Sequence, residues 1–111
     1  MRWNANRADR VFRRAVHVLG WEGTRLLLVE TFPMRLRGMI GRAPDPSMAM
    51  AFPRCRSVHT WFMAYPLDIA FIDEEGEVVE IHCGVKPCRT LGCRGAWGVI
   101  ERVSRPLGQN F

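Results

Sequence analysis

The sequence lacks the features that mark several large classes of protein. No apolar run approaches the ~20 residues that span a bilayer, so a membrane helix is not expected. The opening stretch, Met1 to Arg10, has the arginines of an export signal, but no apolar stretch of about seven or more residues follows before Gly20. No export signal is read, a cytoplasmic location is expected, and the four cysteines are expected as reduced thiols. There is no G-x-G-x-x-G and no phosphate loop, so nucleotide cofactors of the usual α/β type are not expected, and no other cofactor is indicated. A G-x-S-x-G elbow is missing, which removes the commonest signature of a serine nucleophile. Lysine is nearly absent: fifteen of the sixteen basic residues are arginine. No basic run is interleaved with aromatics at a spacing for base stacking, and nucleic acid is not expected as a partner.

What is present describes a small globular chain. At 111 residues and 48% apolar composition it is long enough to remove about 65% of its extended-chain surface from water, which supports one core. The net charge of +5 is unevenly placed. Residues 1–56 carry eleven arginines against four acids (+7), and residues 57–111 carry five basic against seven acidic residues (−2). Clustered positive charge attracts phosphates or acidic partners, although a solvated face is the plainer reading.

Residues 1–10 read as a flexible Arg-rich arm, and residues 11–111 as a single β domain. Phe12 to Leu19 and Thr24 to Glu30 are expected as strands of a hairpin across Gly20-Trp21-Glu22-Gly23. Thr31 as a cap and Pro33 in the first turn predict a short helix from about Phe32 to Ile40, ended by Gly41. Four strands are expected at Ser47–Phe52, Ser57–Met63, Leu67–Asp73 and Glu77–Cys83, with Asp73-Glu74-Glu75-Gly76 as a turn. Leu67, Ile69 and Phe71 fall on one face of their strand and Asp68, Ala70 and Ile72 on the other, which predicts a strand buried on both sides. Gly84 to Gly95 reads as a loop packed on the sheet, and Ala96 to Val103 as a last strand.

From Glu30 to about Glu101 the chain resembles the DUF192 family, a domain of unknown function. The likeness rests on four ordered blocks: Thr31 through Arg42, Cys55 through Thr60, Met63 through Asp73 with Gly76 as the turn glycine, and Val99-Ile100-Glu101. The resemblance implies a mostly β fold, a compact antiparallel β-sandwich or flattened barrel of jelly-roll type with one short helix, and no established activity. The family usually continues past the last block with a Gly-rich loop and a Gly-Asp pair before a final strand, whereas only Arg102 to Phe111 follow here. An open sheet edge, inviting a homodimer, or a truncated domain is the expectation.

Several candidate sites follow from the same pattern. His59, Trp61 and Met63 share a strand face, and Asp68 stands on the next strand. If they meet, Asp68 orients the His59 imidazole for acid–base work, as in a small hydrolase or isomerase. The duller reading has both residues satisfying backbone groups. A ligand pocket would use His59, Thr60, Trp61, Met63 and Asp68, with Arg37 and Arg42 offering forks to a carboxylate or phosphate, or pairing with surface acids such as Asp45. Cys83, Cys88 and Cys93, each separated by four residues, lie near His82, with Cys55 and His59 elsewhere, so a zinc site can be drawn. Structural zinc sites usually begin with C-x-x-C, which is lacking, and no metal is expected. A Cys88–Cys93 disulfide is disfavoured by compartment. The leading functional reading is a non-catalytic binding or accessory module for a small anionic ligand or a protein partner; the alternative is the His59–Asp68 enzyme.

Overall fold

The computed structural model describes residues 5–29, 47–61, 63 and 65–104. It begins with a helix, α1 (Ala5–Leu19). Ala8, Val11, Phe12, Ala15 and Val16 are buried, a spacing of three and four that lays one apolar stripe along a helix. Asp9 and Arg13, four apart, are joined by a 2.7 Å ion pair on its open side. This corrects the strand expected from Phe12 to Leu19, and it places residues 5–10 of the flexible Arg-rich arm expected at residues 1–10 in the same helix. The apolar positions of Phe12–Leu19 continue a helical stripe whose beginning lies at Ala8. Gly20 ends the helix at φ +73, with its amide on the His17 carbonyl and the Trp21 amide on the Val16 carbonyl, and Val16 and Trp21 pack in the same cluster.

Among the described residues seven strands follow: β1 (Arg25–Leu28), β2 (Met48–Pro53), β3 (Ser57–His59), β4 (Leu67–Ile72), β5 (Val78–Val85), β6 (Thr90–Gly92) and β7 (Gly98–Val103). Five form one sheet in the order β1-β2-β7-β4-β5, and β3 pairs with β6 in a second. The fold is therefore mostly β with one helix among the described residues. The larger sheet is open, with β1 and β5 at its edges, rather than closed into a barrel. Nor is it wholly antiparallel, because β1 runs parallel to β2. The last strand, β7, is an inner strand between β2 and β4 rather than a neighbour of an open edge. The helix expected at Phe32–Ile40 lies outside the described residues.

β4 is buried along its whole length, as its double-faced apolar pattern predicts. One face of the sheet presents Ala49, Ala51, Ala70, Ile72 and Ile100 to α1. The small alanines let the helix sit close. The other face presents Met48, Met50, Phe52, Leu67, Ile69, Phe71 and Val99, against which Val58 of β3 and Leu91 of β6 pack. The segment expected as a loop from Gly84 to Gly95 instead prolongs β5 to Val85 and contributes β6, whose Leu91 pairs with Val58. The strand expected from Ser57 to Met63 keeps strand geometry only to His59, because Thr60 turns away to bind the segment at 86–89.

The β4–β5 turn is built by Asp73, whose Oδ1 accepts the amides of Glu75 and Glu77, both at 2.9 Å. α1 rests on this turn through Arg7–Glu74 and Arg14–Glu77 ion pairs. Gly76 has φ +84, and a Cβ there would lie 2.7 Å from the Val11 carbonyl oxygen. A Gly76→Ala variant is expected to lose at least about 2 kcal/mol, from left-handed backbone strain and the clash with α1. Gly95→Ala, whose Cβ would meet nothing nearer than 3.6 Å, should stay within about 0.5 kcal/mol; urea unfolding of the two variants checks the contrast.

Candidate functional site

Asp68 points to the helix side of the sheet, the side of Ala70 and Ile72. Its Oδ1 accepts the Gly84 amide at 2.9 Å and its Oδ2 accepts Arg102 Nε at 3.0 Å. The Arg102 guanidinium in turn lies 4.1 Å from the centre of the Trp21 ring. Both members of this ion pair are largely shielded from water. His59 is exposed on β3, which packs on the opposite face, and its ring neighbour is Trp61 at 5.6 Å. The acid–base pair of His59 and Asp68 is not formed, because the sheet lies between them.

The rest of the expected pocket is dispersed in the same way. Met63 is buried in the cluster beneath β3 and β6, and Trp61 is half exposed. Thr60 is buried, with its hydroxyl donating to the Lys86 carbonyl at 2.7 Å and accepting the Arg89 amide at 2.9 Å. It fastens the 86–89 segment to β3, a structural role. Arg37 and Arg42 lie outside the described residues. All four cysteines are free thiols, Cys55 and Cys93 buried, Cys83 and Cys88 exposed. Among the described residues no group of three His, Cys, Asp or Glu side chains is arranged to hold a metal ion. Burial, and after it a hydrogen bond to the Glu80 carboxylate, pushes the Cys93 thiol above its ordinary pKa. The same thiol, and then His82, draw Glu80 below the usual carboxylate value.

A different set of residues converges where three connections meet. Arg54 and Arg56 stand in the link from β2 to β3, Arg94 in the link from β6 to β7, and Asp73, Glu74 and Glu75 in the β4–β5 turn. Together with Trp97 they line a cleft of about 420 Å³. The frame is backbone: the Cys55 amide donates to the Trp97 carbonyl at 3.0 Å, the Trp97 amide to the Ile72 carbonyl at 2.7 Å, and the Cys93 amide to the Arg56 carbonyl at 2.8 Å. Trp97 is held from behind by Phe12 of α1, ring centres 5.5 Å apart. Arg54 adopts φ +53, a left-handed conformation that costs a residue with a Cβ about 1 kcal/mol or more and that collects at functional sites. Among the described residues, the guanidinium groups of Arg54, Arg56 and Arg94 have no hydrogen-bond or ion-pair partner. On the acidic wall Asp73 is engaged with two backbone amides and Glu74 faces Arg7 at 3.8 Å, whereas the Glu75 carboxylate has no such partner among the described residues. Sequence reasoning passed over this site. Arg54-Cys55-Arg56 is a visible signal, but Arg94 lies far along the chain and nothing local announces that it joins them.

The fold and cleft define a small, mostly β domain with a ligand-sized polar recess. Residues 18–104 match DUF192, described as an uncharacterized ACR, and the chain belongs to that family. Similar solved structures include a protein of unknown function from Novosphingobium aromaticivorans, 22% identical over 73% of this chain with a TM-score of 0.64. A second, from Sinorhizobium meliloti and described as a candidate transcription regulator, is 24% identical over 71% of this chain with a TM-score of 0.62. This chain spans 64% of the first and 67% of the second, and at these identities the likeness is one of fold. None of the curated proteins matches the chain. No described helix is long and apolar enough to cross a membrane.

Asp68→Asn is expected to destabilise the domain by roughly 3 kcal/mol, because it leaves Arg102 shielded from water without its counter-charge. His59→Asn should change stability by less than about 0.5 kcal/mol; a catalytic-style dependence of one on the other, measured by denaturation of the double variant, would contradict this placement. Reaction with an aromatic disulfide reagent near neutral pH should modify Cys83 and Cys88 at least about tenfold faster than Cys55 and Cys93, since thiolate fraction and access set the rate. Because the folded state holds the Cys93 proton more tightly than the unfolded chain does, its contribution to stability is full below the unfolded thiol pKa. That contribution is lost as pH rises through the folded value.

Proposed function

We propose that this domain is a non-catalytic binding module for a small anionic ligand, which sits in the cleft between Arg54, Arg56 and Arg94. The observation that carries the reading is three guanidinium groups, without partners among the described residues, set around a recess on a hydrogen-bonded frame. Arginine forks suit carboxylate and phosphate, and a frame fixed before binding lowers the ordering cost. A recess of about 420 Å³ is also in the size range of small-molecule sites. The pair β3–β6 against one face of the larger sheet supports describing the fold as a small sandwich with α1 on its outer side. Free thiols support a reducing compartment such as the cytoplasm.

A second reading, a homodimer, is favoured by β5, an edge strand on which Val79 and Ile81 are 42% and 46% exposed. Pairing of two β5 edges would cover both. A monodisperse monomer by light scattering at about 100 µM would set that reading aside, whereas a thermal midpoint that climbs with protein concentration would support it.

Titration of the backbone amide NMR signals with inorganic phosphate is expected to give saturable shifts at Arg54, Arg56, Arg94 and Trp97, with a dissociation constant in the range of about 0.1–10 mM. Arg94→Ala should weaken binding about fivefold or more and His59→Asn should leave it unchanged. Shifts that stay linear, or that spread over the surface arginines without preference for the cleft, would sink the anion reading.

A further inference from the structure

We propose that the ligand of this cleft is a small free zwitterion, whose phosphate or carboxylate meets the arginines while its ammonium meets Glu75; this inference rests on the anion reading above. The argument is the charge on the second wall. A ligand that is only anionic enters a recess whose far side, Asp73 to Glu75, carries three carboxylates. Like charges across a short gap oppose its binding. Two of the three are already committed: Asp73 accepts the amides of Glu75 and Glu77, and Glu74 faces Arg7 of α1. Glu75 is the carboxylate whose side chain has no partner among the described residues, and it borders the recess.

The two walls do not neutralise each other. No ion pair joins Arg54, Arg56 or Arg94 to Asp73, Glu74 or Glu75, so the opposite charges that line the recess are not spent on each other. The backbone bonds through Trp97 to Cys55 and Ile72 tie the link that carries Arg54 and Arg56 to the end of β4, where the turn that carries Glu75 begins. A molecule with an acidic group and an amine a few bonds apart satisfies both walls at once, and Trp97 supplies an apolar side for the carbons between them. The recess selects by charge pattern along the ligand rather than by net charge.

The test compares two probes that differ by one ammonium group, O-phosphoethanolamine and ethyl phosphate, by amide NMR titration of the wild type, Glu75→Gln and Arg94→Ala. The expected result is that the wild type binds O-phosphoethanolamine at least about fivefold more tightly than ethyl phosphate. Glu75→Gln should erase that preference without weakening ethyl phosphate, and Arg94→Ala should weaken both. Glu75 donates only its backbone amide to the turn, so the Gln variant keeps the fold. Equal affinities in the wild type, or a preference that survives Glu75→Gln, would overturn the zwitterion while leaving the anion reading in place. Failure of both probes to bind would overturn both. Vesicles of phosphatidylcholine that contain phosphatidylethanolamine present a phosphoethanolamine group anchored in a bilayer; co-sedimentation with them, but not with phosphatidylcholine alone, would overturn the assignment to a free small molecule.

Discussion

The backbone of Trp97 is the joint on which the arrangement depends. Its amide donates to the end of β4 at Ile72, its carbonyl accepts the amide of Cys55 just past β2, and its ring lies against Phe12 of the helix. Gly98 follows, where a Cβ would stand 3.0 Å from the Phe12 ring and 3.1 Å from the Phe52 carbonyl oxygen, so any side chain there would ask its neighbours to give way. β7 then enters the sheet between β2 and β4, the two strands to which the joint has already tied its start. The consequence reaches the surface. Arginines whose guanidinium groups have no hydrogen-bond or ion-pair partner among the described residues are nonetheless placed, because the backbone carrying them is bonded on both sides.

The same economy separates the two notable acids. Asp68 lies one residue from the start of β4, where the sheet is closed over by α1 and Trp21, and a carboxylate there is tolerated because a backbone amide and Arg102 both reach it. Its role is to let β4, β5 and β7 keep a charged seam under the helix end. Glu75 lies at the other end of the β4–β5 hairpin, in a turn whose hydrogen bonds are all supplied by Asp73 and the backbone. Its side chain is released from structural duty by its neighbour.

Much of the sheet was legible from local pattern. β2, β4, β5 and β7 appear near their expected places because each is a short apolar run between turn residues, and the two-faced pattern of Leu67 to Ile72 announced an inner strand. The helix was missed in the window Phe12–Leu19, although its apolar residues at 12, 15, 16 and 19 already have helical spacing; the stripe is plainer when Ala8 and Val11 are read with it. β6 was hidden by Gly92 and two flanking cysteines, which argue for a loop unless β3 is known to lie alongside. The expected pocket failed for a topological reason. His59 and Asp68 are close in sequence, but one belongs to the two-stranded sheet on one face and the other points through to the helix side. Sequence proximity says nothing of that.

What the cleft is equipped to do follows from which protons it can move. Arginine holds its charge throughout the physiological range, so three guanidinium groups supply attraction and orientation but no acid or base. Asp73 has its Oδ1 committed to two backbone amides that build the turn. Glu75 stands at the surface, where water competes for any proton it would transfer. His59 and His82 are not among the residues that line the recess. A set of charges of both signs on a bonded frame is suited to holding a charged molecule in one orientation.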